Sequence, residues 1–469
     1  MTRPALSRGF VRSSVSVSRM SVIDKSPPAN RARTVASGLR ADLLVVAAVV
    51  VFVAILAVQG WHLLDKGDDL FLFWPPLLAW WQPHVGVGTV PAIAVGALAV
   101  VYGPQLAARM RWRGLLLTAY VTSVGWTLFL AMAEGFQTGV ASKLTSTDEY
   151  LHDIPRVSGI AAMLHEFTAR IVDGKADQWT THVGAHPPGA FLTFLVLNKI
   201  GLGGGGIAGV FCILVGASAC VAVAVTLRAL GAERIARSAL PFGVLIPGAV
   251  WIGVSADGMF AGVLAWGVAL LAIGATRRGP VADTASLGAG LLLGYTLYLS
   301  YGLALAGLLP VAVIVLTRRL RPALLAVLGV AVVVGLFAAS GFWWFTGFKL
   351  TSILYAHSIA KHRPYAYFVF ADLAAFAFTI GPAAFAGLRR LAVRRPPVVL
   401  ALLVGAAVFA VLAADLSGMS KAEVERIWLP FAVWLMLPCA LLNPKHSRWW
   451  LAGQAAVTLL VDHLIITPW

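Results

Sequence analysis

Adjacent carboxylates stand at Asp148 and Glu149, within Thr147-Asp148-Glu149-Tyr150. At a water boundary such a pair acts as a general base or as a ligand for a divalent cation. It equally suits the positive end of a helix dipole, with Thr145, Thr147 or Asp148 as the cap. His186 precedes Pro187-Pro188-Gly189. Pro-Pro-Gly makes a rigid helix-start turn, and an imidazole there can donate to a phosphate or a hydroxyl. Asp257, in Ser255-Ala256-Asp257-Gly258, reads either as an Asp-Gly hairpin turn or as a carboxylate facing the same cavity as Asp148. Arg363, in Lys361-His362-Arg363-Pro364-Tyr365, and Arg426, in Glu423-Val424-Glu425-Arg426, carry guanidinium forks that fit phosphate oxygens, and Tyr365 is beside the first. Arg363 also suits lipid headgroups, and Arg426 also suits neutralisation by Glu423 or Glu425. Asp68 and Asp69 form a second acidic pair, placed among Trp61, Trp74, Trp80 and Trp81.

The elements that must position these residues are membrane helices. Of the 469 residues, 59% are apolar or aromatic and 12% are charged, and mean hydropathy is +0.84. The charged fraction is roughly half the ~25% of a soluble domain, which excludes a soluble enzyme. Apolar stretches of about 17–25 residues, enough to cross a bilayer core, recur along the chain. They lie near 42–60, 88–108, 114–133, 205–227, 238–254, 258–275, 284–300, 302–317, 323–342, 368–388, 397–414, 427–443 and 449–467. Thirteen spans of an all-α, polytopic domain over 41–469 are therefore expected, after a disordered basic tail at 1–40. No small-residue cleavage site follows the apolar run Leu43 to Gln59, so a cleaved leader is not expected. Cys212, Cys220 and Cys439 lie in apolar runs, which argues against a disulfide framework or a thiolate metal site.

The formal net charge of +16 is a topology signal. With the N-terminus inside, 25 of the 36 Lys and Arg residues fall on the cytoplasmic side and 16 of the 20 acids on the other. That segregation follows the positive-inside rule, and nucleic acid is not an expected partner. Residues 186–200 are apolar enough to insert, yet counting them would invert every later loop, so a juxtamembrane or re-entrant helix is expected there. The 71-residue outer excursion at 134–204 is too long for a mere connection. Leu151, Ile154, Val157, Ile160, Ala161 and Leu164 recur at helical spacing, which predicts one amphipathic helix on the membrane surface. His152, Asp153, Arg156 and His165 take its other faces. The chain holds no G-x-S-x-G elbow, H-E-x-x-H zinc helix or G-x-x-x-x-G-K-[ST] loop, which argues against lipase, zinc-protease and ATP-driven chemistry.

The acidic pair in a large outer loop, followed by a His-Pro-Pro helix returning to the membrane, resembles the GT-C superfamily of integral membrane glycosyltransferases. More narrowly, TDEYLHD, HPPG, HRPYAYF and EVERIWLPF are similar to an actinobacterial group of methylthioxylose transferases, which decorate mannan caps of lipoarabinomannan. The resemblance implies transfer of a sugar from a polyprenyl phosphate to a cell-envelope glycan or glycolipid, on the outer face of the plasma membrane. It maps the base to Asp148, with Glu149 second, and the leaving phosphate to His186 and Arg426, with Arg363 and Tyr365 as further substrate contacts. It assigns no certain cofactor and leaves a divalent cation open. In the simplest family layout the acidic loop follows the first span, whereas here the Asp148–Glu149 pair follows the third; Asp68 and Asp69 therefore rival it. A secondary transporter or a lipid flippase for envelope precursors would share the topology.

Overall fold

The computed structural model describes residues 28–172, 174 and 177–469, with side chains from residue 38 onward. The chain divides into a short unit, Met1–Ala41, and a helical body, Asp42–Trp469. Helix begins at Pro28, inside the stretch expected to be an unstructured tail, and runs to Asp65. Residues 1–27 of that expected tail lie outside the described residues.

The body is α-helical; among the described residues the only strands are the two-residue pair Trp80–Trp81 and Ile465–Ile466, joined antiparallel. Among the described residues, eight helices are long and apolar enough to cross a membrane. They coincide with eight of the thirteen expected stretches. The other five stretches are helical too, but broken, shorter or more polar. Residues 238–254 divide between helices Glu233–Val244 and Ala249–Ile252 around Pro247-Gly248. Residues 302–317 and 427–443 begin or end as 3₁₀ helix, whose longer rise lets fewer residues cover the same depth. Helix Pro280–Leu299 is diluted by Asp283, Thr284 and Ser286, and helix Ser447–Leu464 by Arg448, Gln454 and Asp462.

One long helix, Tyr365–Val393, is broken at Gly381, where φ is +69°, directly before Pro382. A left-handed residue followed by proline opens the hydrogen-bond ladder, and in an apolar setting the freed groups need partners. They find them on neighbours. Gln454 Nε2 donates to the Ile380 carbonyl, Gln454 Oε1 accepts from Ala383 N–H, and Gly248 N–H donates to the Thr379 carbonyl.

The turns that carry basic residues are bonded to one another. Arg237 donates to the Ala107 and Met110 carbonyls, which ties the turn near 230 to the turn near 110. Asp42 accepts from both Arg389 and Arg390, and Arg390 also donates to the Leu441 carbonyl. Arg321 makes a two-pronged pair with Asp283.

Two expectations for the outer excursion change. The predicted single amphipathic helix is instead a 3₁₀ segment, Tyr150–Arg156, then a break, then helix Ile160–Glu166 and a 3₁₀ turn Phe167–Arg170. Pro155 lacks the N–H that an α-helix would use, and Gly159 is fully extended. Asp153, assigned to a polar face, is completely buried. Residues 186–200 form the 12-residue helix Pro188–Lys199, about 18 Å long and too short to cross a bilayer. It packs so closely on helix Pro280–Leu299 that a Cβ at Gly189 would come 2.4 Å from the Tyr298 carbonyl oxygen.

Candidate functional site

The excursion is folded back on itself by a carboxylate. Buried Asp153 accepts from Arg156, from the Thr180 amide and from the Thr180 hydroxyl, while Arg156 also reaches the Gln178 carbonyl. This clasp sets residues 148–150 against 180–186. The His182 amide then donates to the Asp148 carbonyl at 3.0 Å, and the Thr181 hydroxyl donates to Asp148 Oδ1 at 2.8 Å. The short helix Thr181–Ala185 ends at His186, and Pro188 occupies the first turn of the next helix, as the sequence predicts.

Four segments converge on one guanidinium. Arg426 Nη1 donates to Asp257 Oδ2 at 2.6 Å, and Nη2 donates to Glu423 Oε2 at 2.7 Å. Nη2 also lies 2.9 Å from His182 Nε2, whose other ring nitrogen is 2.8 Å from Glu149 Oε1. The Trp469 indole covers the guanidinium with its ring centre 4.3 Å away. Arg426, Asp257 and Glu149 are buried. Asp257 is not in a hairpin turn: Ser255 caps helix Ala256–Thr276 through Gly258 N–H, which puts Asp257 in the first turn, at the positive end of the dipole. Tyr150 fills the space between the rings of His182, His186 and Phe194.

Donor and acceptor chemistry fixes the protons. A guanidinium can only donate, so the Arg426–His182 contact is a hydrogen bond only when His182 Nε2 is bare; its Nδ1 then carries the proton toward Glu149. The result is a chain, Glu149 carboxylate to imidazole to guanidinium to Asp257 carboxylate. Burial pushes the Glu149 carboxyl up, but the imidazole and the guanidinium pull it further down, and it is held below the ordinary range. For His182, burial pushes down and the Glu149 carboxylate pushes up by more, so the net direction is up. His186 goes the other way, pushed down chiefly by burial. Its Nδ1 donates to the His182 carbonyl at 2.8 Å, which leaves Nε2 as the acceptor of a neutral ring.

Glu423 is ionised: burial pushes its carboxyl up, while Arg426, His182 and Arg363 pull it down by more. Glu423 and the preceding Ala422 both have left-handed backbone, at φ +64° and +68°, an unusual pair for residues with side chains. On its other side Glu423 Oε1 is 4.0 Å from Arg363 Nη2. Arg363 is buried, donating to the Leu70 and Lys421 carbonyls.

The structure thus brings together Glu149, His186, Asp257 and Arg426, with Arg363 joined through Glu423. Asp148 lies at the rim, with an exposed side chain. Tyr365 points elsewhere; it is exposed and bonds the Leu416 carbonyl. Asp68 and Asp69 are exposed in the loop whose Leu70 carbonyl meets Arg363, and Asp69 caps the Phe71 amide. Sequence reasoning did not find His182 or Trp469. His182 lies four residues before His186, a spacing that puts two imidazoles on one helical face, so a signal was present. Trp469 sits in an irregular segment and gave none. Glu423, and not Glu425, neutralises Arg426, at i,i+3 spacing. Among the described residues no three His, Cys, Asp or Glu side chains converge as a divalent cation would need.

Compared with known proteins, the chain matches no family model and no curated relative.

Proposed function

We propose that the protein transfers a sugar from a polyprenyl phosphate to an envelope glycan or glycolipid at the outer face of the plasma membrane. The observation that carries this reading is the buried Arg426 guanidinium, oriented through His182 by the Glu149 carboxylate, whose neighbour in sequence is the exposed carboxylate of Asp148. In this reading the loops bonded through Arg237, Arg389, Arg390 and Arg321 would face the cytoplasm and the Arg426 centre would face outward. The thirteen-span topology belongs to this proposal.

In this mechanism the acceptor hydroxyl oxygen attacks the anomeric carbon as the bond from that carbon to the phosphate oxygen breaks. Asp148 takes the hydroxyl proton; one of its oxygens is held by Thr181 and the other remains for the substrate. The negative charge arriving on the polyprenyl phosphate is received by Arg426 and Arg363, with His186 beside them. No covalent enzyme intermediate is needed, because a polyprenyl phosphate is already a competent leaving group. Glu149 is committed to His182, so its role is to orient the ring.

Membranes carrying wild type, Asp148→Asn or Glu149→Gln, given radiolabelled polyprenyl-phosphate sugars, test this. Transfer by wild type should fall about 10²–10⁴-fold in Asp148→Asn at equal protein level. Equal transfer by both would remove Asp148 and return attention to Asp68 and Asp69.

One observation favours a second reading, proton-coupled transport or lipid flipping. Glu425 is completely buried and, among the described residues, neither of its carboxyl oxygens has a hydrogen-bond partner. A buried, unpaired carboxyl suits a proton carrier. Substrate uptake that is lost in Glu425→Gln, with no sugar transfer from any donor, would establish that reading instead.

A further inference from the structure

Glu423 occupies an unusual place. Its two carboxylate oxygens point at two different guanidiniums, Oε2 at Arg426 Nη2 (2.7 Å) and Oε1 at Arg363 Nη2 (4.0 Å). The second distance is too long for a hydrogen bond. Among the described residues Arg363 Nη2 has no hydrogen-bond partner although it is buried, and the same holds for Arg426 Nε. Two guanidiniums therefore each keep an N–H that the protein does not satisfy, on either side of one carboxylate. Buried donors are nearly always paired, so these two call for an acceptor larger than Glu423 provides. A carboxylate has two oxygens; a phosphate monoester has three terminal ones and carries more charge.

The backbone indicates how Glu423 comes to be there. Ala422 and Glu423 are held in left-handed conformation, which costs free energy for residues bearing a Cβ and persists where surrounding contacts impose it. The contacts are visible: Ala422 N–H donates to Asp372 Oδ1, Lys421 Nζ donates to the Ala360 and Arg363 carbonyls, and Lys421 N–H donates to Tyr355 Oη. Glu423 also keeps more exposure than Arg363 or Arg426, so it has room to leave while they stay.

We infer that the Glu423 carboxylate is an internal stand-in for a phosphate monoester, filling the space between Arg426 and Arg363 until a ligand phosphate displaces it. The inference rests on the proposed transfer and goes beyond it: the sugar donor is a phosphodiester with one charge and two terminal oxygens, whereas the polyprenyl phosphate it leaves behind is a monoester, so Glu423 competes with that product and keeps the two arginines apart before it forms. Its presence also favours dianionic phosphate over singly charged carboxylate ligands, because only the former brings enough charge to replace it.

The test is binding of farnesyl phosphate, inorganic phosphate and farnesol to the full-length protein in detergent, by calorimetry, for wild type, Glu423→Gln and Arg363→Gln. Glu423→Gln keeps the shape and removes the competing charge. Farnesyl phosphate should bind it about tenfold tighter than wild type, the scale of one charge-assisted hydrogen bond no longer displaced. Arg363→Gln should weaken binding by a similar factor. Inorganic phosphate that competes would show that the phosphate is read directly, while farnesyl phosphate binding that is uncontested by it would assign the gain to the lipid-linked form. Equal or weaker binding to a Glu423→Gln protein that melts like wild type would overturn the inference and leave the donor reading standing. Absence of farnesyl phosphate binding to all three proteins, or farnesol binding as well as its phosphate, would overturn both.

Discussion

Two clusters of buried charge in this protein are built from similar parts and differ in one respect. Asp42 is fully buried, and both of its oxygens are used, by Arg389 and by Arg390, which in turn reaches the Leu441 carbonyl. Every group there meets another, and the cluster joins three segments as a clamp. Around Arg426 the count is uneven. Asp257, Glu423 and the Glu149–His182 pair all bear on one guanidinium, yet its Nε and Arg363 Nη2 go without acceptors among the described residues. The difference teaches how to separate structure from function inside a membrane: a closed network stabilises, whereas one with surplus carboxylates and idle donors is arranged for something else to arrive.

If that distinction is sound, the largest effect comes from breaking the clamp. Asp42→Asn removes the buried charge that Arg389 and Arg390 share and should cost about 3–5 kcal/mol of stability, read as a lowered melting temperature in detergent. Transfer per folded molecule should remain that of wild type. Arg426→Lys should do the reverse, lowering transfer about 10²–10³-fold with little change in melting, since an ammonium cannot reproduce the fork. A variant of Arg426 that unfolds like Asp42→Asn would erase the comparison.

A smaller effect sharpens it through pH. Burial raises the Glu425 carboxyl from its ordinary 4.5 to about 7. The folded state therefore holds that proton where the unfolded chain has released it. Stability declines as pH rises between these two values and carries a constant penalty above them. Glu425→Gln should then melt higher than wild type at pH 8, by on the order of 2–3 kcal/mol, and alike at pH 4. The smallest effect is at His182. Falling pH protonates its Nε2 and sets an N–H against the guanidinium, so transfer should drop through the raised imidazole range. In His182→Gln, where an amide oxygen can still accept from Arg426, transfer at neutral pH should be within about tenfold of wild type and the acid limb should flatten. An unchanged acid limb in the variant would place the titrating group elsewhere.

Much of the helix layout was legible because hydrophobic length is written locally. Each of the eight membrane-length helices coincides with an apolar stretch read from the chain. The interruptions were harder. Residues 427–443 look like one continuous run, but Pro430 and Pro438 turn them into a short helix and a 3₁₀ segment. The excursion misled for a related reason: apolar residues at helical spacing between 151 and 164 outvoted Pro155 and Gly159, and Thr180, a partner of buried Asp153, lies 27 residues away. Among site residues, Asp257, Arg363, Arg426, Glu149 and His186 were legible because charged or imidazole groups stand out in apolar sequence. Their pairing was not. Nothing local announces that Asp257 meets a guanidinium 169 positions on, or that Trp469 roofs it. The choice between Glu423 and Glu425 turned on helical phase, which a four-residue helix does not display in sequence.

The break at Gly381 bears on biogenesis. The Ile380 carbonyl and the Ala383 amide obtain their partners from Gln454, a residue synthesised some seventy positions later. Until the Ser447–Leu464 helix is inserted, those two backbone groups would meet hydrocarbon without a partner, at a cost of several kcal/mol each. The Tyr365–Val393 helix therefore cannot settle in its final form as it leaves the insertion machinery. It must wait, held near water or in an alternative ladder, for a helix made later in the chain, which couples the settling of one helix to the insertion of the other.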